Sequence, residues 1–259
     1  MTNKIDVTMR YETRPDRPPR IAVISDIHAN LPALQAVLQR IEELKVDQVY
    51  CLGDIVGYGG HPNECVTILR EKKVPCVLGN HDQAALGELD ITNFNAVAKQ
   101  AIRWTQNELS KENQDFLRSR PMEISLEDVF LVHASPRNPE EWNYILSIPD
   151  AHLNFEHFKE RICCIGHSHQ PFIIENRDGK LMCPEEPQIE IQEQYRYLVN
   201  VGSVGQPRDH NPESCFALYD RNTKRLELVR VPYDIDAAQS RILEQGLPEV
   251  LATRLTYGS

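Results

Sequence analysis

Three observations predict an α/β fold containing two sheets. Residues 20 to 78 alternate short apolar runs with helical spacing in the order β-α-β-α-β, the second half is rich in extended segments, and no linker divides the halves. Residues 1 to 18 carry no apolar periodicity and run into Pro-Asp-Arg-Pro-Pro, so they read as a polar tail, with a single domain over 19 to 259 that starts folding at Arg20. Ile21 to Ile24 is a buried strand with Asp26 just past its end. Leu34, Val37, Leu38, Ile41 and Leu44 then fall on one helical face, with Asn30 as N-cap and Pro32 in the first turn. A strand at Gln48 to Leu52, a helix at Pro62 to Lys72 and a strand at Cys76 to Leu78 complete the first unit. A helix follows Asn95, with Ala98, Ala101, Ile102, Thr105 and Leu109 on one face. Met122 to Leu126, Val129 to Val132, Ile162 to Ile165, Phe172 to Ile174, Tyr197 to Val201, Cys215 to Tyr219 and Leu226 to Val231 read as extended. Arg177-Asp178-Gly179 and Asp220-Arg221-Asn222 suit hairpin turns, and a helix at Ile235 to Gln245 closes the chain.

Composition narrows the class of function. The chain has 259 residues, 41% hydrophobic and 25% charged, as a folded soluble protein does. Its net charge is −10 and its basic residues are scattered, which argues against an extended nucleic-acid surface. The longest stretches free of Asp, Glu, Lys and Arg are 13 residues, 27 to 39 and 162 to 174. A bilayer span needs about 20, so no membrane helix is expected. Residues 1 to 20 lack the apolar core of a signal peptide. The seven cysteines are odd in number and form no C-x-x-C, which fits reduced, buried thiols and a cytoplasmic protein.

Five blocks carry chemistry. They are Ser25-Asp26-Ile27-His28, Gly53-Asp54, Gly79-Asn80-His81-Asp82, Val132-His133-Ala134 and Gly166-His167-Ser168-His169, each at or near the end of a predicted strand. In open α/β sheets ligands gather at that edge. Taken singly, each block has a plainer reading. Asp26 could be a turn residue beside a surface His28, Gly53-Asp54 a turn, Asn80 to Asp82 a cap, and His133 a satisfied core histidine. Their conjunction in this order is far harder to obtain by accident.

The set resembles the calcineurin-like metallophosphoesterases, whose pattern is D-x-H, G-D, G-N-H followed by Asp or Glu, a lone His, and G-H-x-H; the likeness spans most of residues 20 to 235. The resemblance implies a four-layer α/β/β/α sandwich with two metal ions at the sheet edge. Position by position, Asp26, His28 and His169 would hold one metal, Asn80, His133 and His167 the other, and Asp54 would bridge them. His81 would face the substrate, with Asp82 orienting it. Carboxylate, imidazole and amide ligands suit divalent Mn, Fe, Zn, Ni or Co, and availability decides among these. Two such cations about 3.5 to 4 Å apart would polarise a phosphoryl group and generate a bridging hydroxide for in-line attack. His81 would stabilise developing charge or protonate the leaving oxygen.

Departures from subfamily patterns shape the substrate expectation. The family's protein Ser/Thr phosphatases have arginines after G-D and before G-N-H; here neither Ile55 to Gly60 nor Leu78 supplies one. The stretch Asn200 to Arg208 is similar to the N-P-G-S…P-R segment of the family's small bacterial and archaeal phosphodiesterases, with Val201 in place of Pro. Arg208 is expected to contact a phosphate oxygen, its alternative being a surface pair with Asp209. Tyr58 and the segment Trp142 to Tyr144 are candidates for an aromatic wall. The expected function is a phosphodiesterase or phosphatase acting on a small phosphate ester; a non-catalytic scaffold of the same fold and a Mn-dependent nuclease are the alternatives. Oligomeric state stays open.

Overall fold

In the computed structural model the described residues are 20 to 259; the predicted tail, 1 to 18, lies outside them. The first strand, β1 (Arg20–Ile24), is followed by α1 (Leu31–Glu43), β2 (Gln48–Cys51), α2 (Pro62–Glu71), α3 (Asn80–Ala85), α4 (Ala96–Glu108) and α5 (Lys111–Arg118). Then come β3 (Glu123–Ser125), β4 (Val129–Val132), α6 (Ile148–Asn154), β5 (Ile162–Ile165), β6 (Phe172–Arg177), β7 (Lys180–Met182), β8 (Gln188–Glu190), β9 (Arg196–Asn200), β10 (Ser214–Asp220) and β11 (Arg225–Val231). Two helices, α7 (Ile235–Glu244) and α8 (Glu249–Tyr257), finish the chain.

The strands form two mixed sheets, ordered β2-β1-β10-β11-β8 and β3-β4-β5-β9-β6-β7. In the first, β1 runs parallel to β2 and antiparallel to β10; in the second, β4, β5 and β9 are parallel neighbours. Strand β1 shows why the sheets stack. Ile21 and Val23 join a core shared with Leu131, Ile162, Cys164, Tyr197 and Val199 of the second sheet, while Ala22 and Ile24 pack beneath Leu34, Val37 and Ile41 of α1. Both faces are apolar, as a sheet covered on each side requires. On the far face of the second sheet Phe130, Val132, Cys163 and Leu198 meet Ala151 of α6 with Phe155 and Phe158. The layers are therefore helix, sheet, sheet, helix.

Two sequence expectations are corrected. Cys76 to Leu78 makes only a single parallel bridge, Cys51 to Cys76, and forms no strand. Pro75 has no N–H to extend a ladder, and beyond Val77 the Leu78 N–H donates to Pro121 O, 2.8 Å. The helix over 235 to 244 also does not close the chain: Gly246 and Pro248 interrupt it, and α8 then buries Leu251, Ala252 and Leu255 against Tyr58, Ala238 and Ile242. Helices α3, α5 and α6 and strands β7 and β8 were not foreseen either.

Candidate metal centre

The loops after β1, β2, β4 and β5 and the start of α3 meet at one rim. Backbone hydrogen bonds zip them together: Asp26 N to Gly53 O, 3.1 Å, His28 N to Asp54 O, 2.9 Å, and Gly166 N to His133 O, 2.8 Å. The glycines permit this approach. A Cβ on Gly79 would stand 2.2 Å from Asp54 Oδ1, and one on Gly166 would stand 2.4 Å from Asp26 Oδ2. Asp26, His28, Asp54, Tyr58, His167 and His169 all adopt left-handed backbone, with φ between 48° and 65°. Such conformations cost of order 1–3 kcal/mol each and persist where surrounding structure over-determines them.

All seven candidate ligands converge. Asp26, His28 and His169 place ligand atoms within 4.8 Å of one another, and so do Asp54, His133 and His167. Asn80 Oδ1 lies 3.0 Å from His133 Nε2. Asp54 stands between the groups, its Oδ2 3.7 Å from His28 Nε2 and 3.4 Å from His133 Nε2. Every one of these side chains is buried.

The donor chemistry fits cations. His28, His133 and His169 each set Nδ1 against a backbone carbonyl, Val56 O at 3.1 Å, Leu52 O at 2.8 Å and Gln206 O at 2.5 Å. With Nδ1–H donating, the neutral form of each ring has its lone pair on Nε2. His28 Nε2 and His169 Nε2 then face each other at 3.0 Å, and Asp26 Oδ1 is buried without a hydrogen-bond partner 3.2 Å from the latter. Lone pairs crowded this closely away from water call for a positive charge among them.

Electrostatics follows burial. Burial takes His81 down to about 4, and burial with neighbouring His133 takes His167 down to about 3. Burial and then His169 hold His28 well below its usual value; burial and then Arg208 lower His169. For His133 burial again pulls downward, but the Asp54 carboxylate outweighs it and lifts the ring to about 9. Burial pushes Asp26 and Asp54 upward, yet the imidazoles around them, His169 and His133 foremost, keep both below the ordinary carboxylate range.

His81 is 6% exposed, its ring 4.5 Å from Tyr58, 4.9 Å from His28 and 5.3 Å from Phe94 between centroids. Its backbone N–H donates to Asp54 Oδ1 at 2.8 Å. The orienting role expected of Asp82 is corrected by the geometry. Its Oδ1 accepts from Val56 N at 3.1 Å and its Oδ2 from Gly79 N at 3.2 Å, while His81 Nδ1 is buried without a hydrogen bond. Aromatic packing, not Asp82, positions the ring. Asp82 instead ties the loop after β2 to the start of α3, and burial reinforced by Asp54 pushes it up to about 8.

Arg208 lies at the rim, its Cζ 5.7 Å from the Tyr58 ring centre, and Asp209 pairs with Arg230 instead. The Arg208 Nε is buried with no hydrogen-bond partner. Tyr144 stacks on His167 at 4.0 Å and Trp142 meets His133 edge-on at 5.7 Å. Sequence reasoning missed Phe94, the carbonyls of Leu52, Val56 and Gln206, and Arg254, whose Nη1 reaches Gln206 Oε1 at 3.2 Å. The carbonyls leave no trace in residue type, and Arg254 sits on the unforeseen α8.

Comparison with known proteins finds relatives over nearly the whole chain. The chain is 42% identical over 242 residues to an uncharacterized protein of Methanocaldococcus jannaschii, covering 92% of this chain and 98% of that one. The crystal structure of a metallophosphoesterase from Sphaerobacter thermophilus superposes with a TM-score of 0.82 at 40% identity, over 93% of this chain and 99% of that one. A hypothetical protein from Pyrococcus horikoshii superposes with a TM-score of 0.75 at 25% identity, over 93% and 98%. The model of the calcineurin-like phosphoesterase superfamily domain matches residues 20–224, the span that carries all five motif blocks. This chain is a member of the calcineurin-like phosphoesterase superfamily.

Proposed function

We propose that the protein is a dimetal-dependent hydrolase of small phosphate esters, a phosphodiesterase or phosphatase, with residues 19 to 259 as its catalytic domain. The observation that carries this reading is Asp54, whose Oδ2 lies between two buried donor groups, 3.7 Å from His28 Nε2 and 3.4 Å from His133 Nε2. Asp26, His28 and His169 would hold one divalent ion; Asn80, His133 and His167 the other; Asp54 both. When bound, the ions would supply Lewis-acid polarisation of the phosphoryl group and a water acidified for attack.

The chain's own residues do the rest. Leu52, Val56 and Gln206 carbonyls fix the ligand tautomers. His81, held by Tyr58 and Phe94, is placed to stabilise charge on a phosphoryl oxygen through the N–H of its neutral ring or, as the imidazolium, to protonate the leaving oxygen. The unpartnered Nε of Arg208 is a donor for a further phosphate oxygen, with Tyr58 beneath it. Asn200 Nδ2 braces the last motif through Gly166 O at 2.7 Å, and Ser203 Oγ donates to Asp26 O at 2.8 Å, which gives the phosphodiesterase-like segment a place in the site's support. Tyr144 and Trp142 form a wall on the His167 and His133 side. A reducing cytoplasmic setting is consistent with the seven free cysteines.

The test is metal analysis of the purified protein together with hydrolysis of bis-p-nitrophenyl phosphate and p-nitrophenyl phosphate in Mn. Two divalent ions per chain are expected. Turnover should vanish on chelation and fall about 10²- to 10⁴-fold in His81→Ala. Hydrolysis that survives metal removal overturns the reading, as does purified protein that retains no metal.

A further inference from the structure

We infer that Arg254, paired with Arg208 across Gln206, forms a second anion subsite beside the metal centre, fitted to a second phosphoryl group on the substrate, so that organic di- or polyphosphates are its preferred class. The inference rests on the reading above and names the substrate class for that site. Gln206 Oε1 accepts from Arg208 Nη2 at 2.9 Å and from Arg254 Nη1 at 3.2 Å, so two guanidinium groups share one neutral acceptor. Among the described residues neither forms an ion pair with an Asp or Glu side chain. Their neighbours Arg230 and Arg241 do, with Asp209 and Glu244. Arg254 Nε donates to a carboxyl oxygen of Ser259, and Arg208 Nε is buried with no acceptor. Two guanidinium groups that share a neutral acceptor and pair with no Asp or Glu, one of them with an unused buried donor, are complementary to an incoming anion.

The pair is also anchored to the ligand set. The Gln206 carbonyl accepts from His169 Nδ1 at 2.5 Å, and its N–H donates to Ser203 Oγ at 2.8 Å, so the shared acceptor is fixed to a candidate metal ligand. Arg208 lies over Tyr58, whose ring is 4.6 Å from His28 and 4.5 Å from His81. The order from the ions outward is therefore His28 and His81, Tyr58, Arg208, Arg254. A phosphoryl group bound at the cations is within the field of Arg208, and a neighbouring phosphoryl group lies toward Arg254. Helix α8 carries Arg254 to this place by burying Leu251, Ala252 and Leu255 in the same cluster as Tyr58.

Binding can be read without turnover. Full-length protein loaded stoichiometrically with Mn is titrated calorimetrically with methylenediphosphonate and with methylphosphonate, and the ratio of their affinities is the measure. The wild type should favour the diphosphonate at least 10-fold. Arg254→Gln should reduce that ratio about 10-fold, and Arg254→Lys, which keeps the charge and the helix, should reduce it less. A wild type without preference for the diphosphonate, or a ratio unchanged in both variants, overturns the subsite. Because metal content and p-nitrophenyl ester hydrolysis are measured on the same preparations, loss of the subsite alone is distinguishable from failure of the phosphoesterase reading.

Discussion

His81 and Asp82 adjoin in sequence but serve different parts of the molecule, the first the wall of the site and the second the joint beneath it. Removing a buried acceptor that satisfies backbone N–H groups costs about 1–3 kcal/mol. Asp82→Asn should therefore lower stability by about that much in chemical denaturation, while its turnover falls well short of the loss in His81→Ala. An Asp82→Asn protein with intact stability and turnover as low as that of His81→Ala would restore the orienting role. At this scale the sequence was legible where a side chain meets a side chain: the seven candidate ligands converge as their motif order implies. It was not legible where the partner is backbone. Asp82 reaches the N–H of Val56, 26 residues away, and nothing in the residue type of Val56 announces that. The motif glycines gain a physical meaning from the structure, since Gly79 and Gly166 stand where any Cβ would strike a candidate ligand carboxylate.

Elements whose burial is two-sided or whose caps are explicit were read closely. Strands β4 and β5 match their predicted bounds, and α1 starts at the predicted Asn30 cap, which accepts from Ala33 N at 3.2 Å. Short elements with little apolar patterning were not: β7 and β8 are three residues each with mostly exposed side chains, and α3 is six residues hidden inside a motif. Helix α8 buries Leu251, Ala252 and Leu255 but exposes Val250 and Tyr257, so its apolar residues mark no single face that would signal a helix after Pro248. Those few residues nevertheless carry it. Leu251→Ala, at a fully buried position, should cost about 2–5 kcal/mol, read as a lower denaturant midpoint, and an unchanged midpoint would show that α8 contributes nothing to the fold.

At the scale of the molecule, each donor group draws on both sheets. Asp26 and His28 follow β1, Asp54 follows β2, and His133, His167 and His169 follow β4 and β5 of the other sheet. Ions bound there would tie the sheets together. A ligand at about 100 times its Kd adds about 2.7 kcal/mol to the folded state, so saturating Mn should raise the unfolding temperature in scanning calorimetry and chelation should lower it. A midpoint indifferent to metal would contradict the shared centre. Net charge, −10 for the chain, thus says little about the site, whose sign would be set by the ions and by Arg208 and Arg254. The strand order also has a consequence for synthesis. Strand β1 lies between β2 and β10, and β11 follows β10, so the first sheet stays unfinished until residues 214 to 231 leave the ribosome, while the donor groups wait for His167 and His169. A nascent chain therefore exposes Asp26, His28 and Asp54 before the imidazoles that complete each group exist, and a fully coordinated ion could be held only once the second half of the chain is being made.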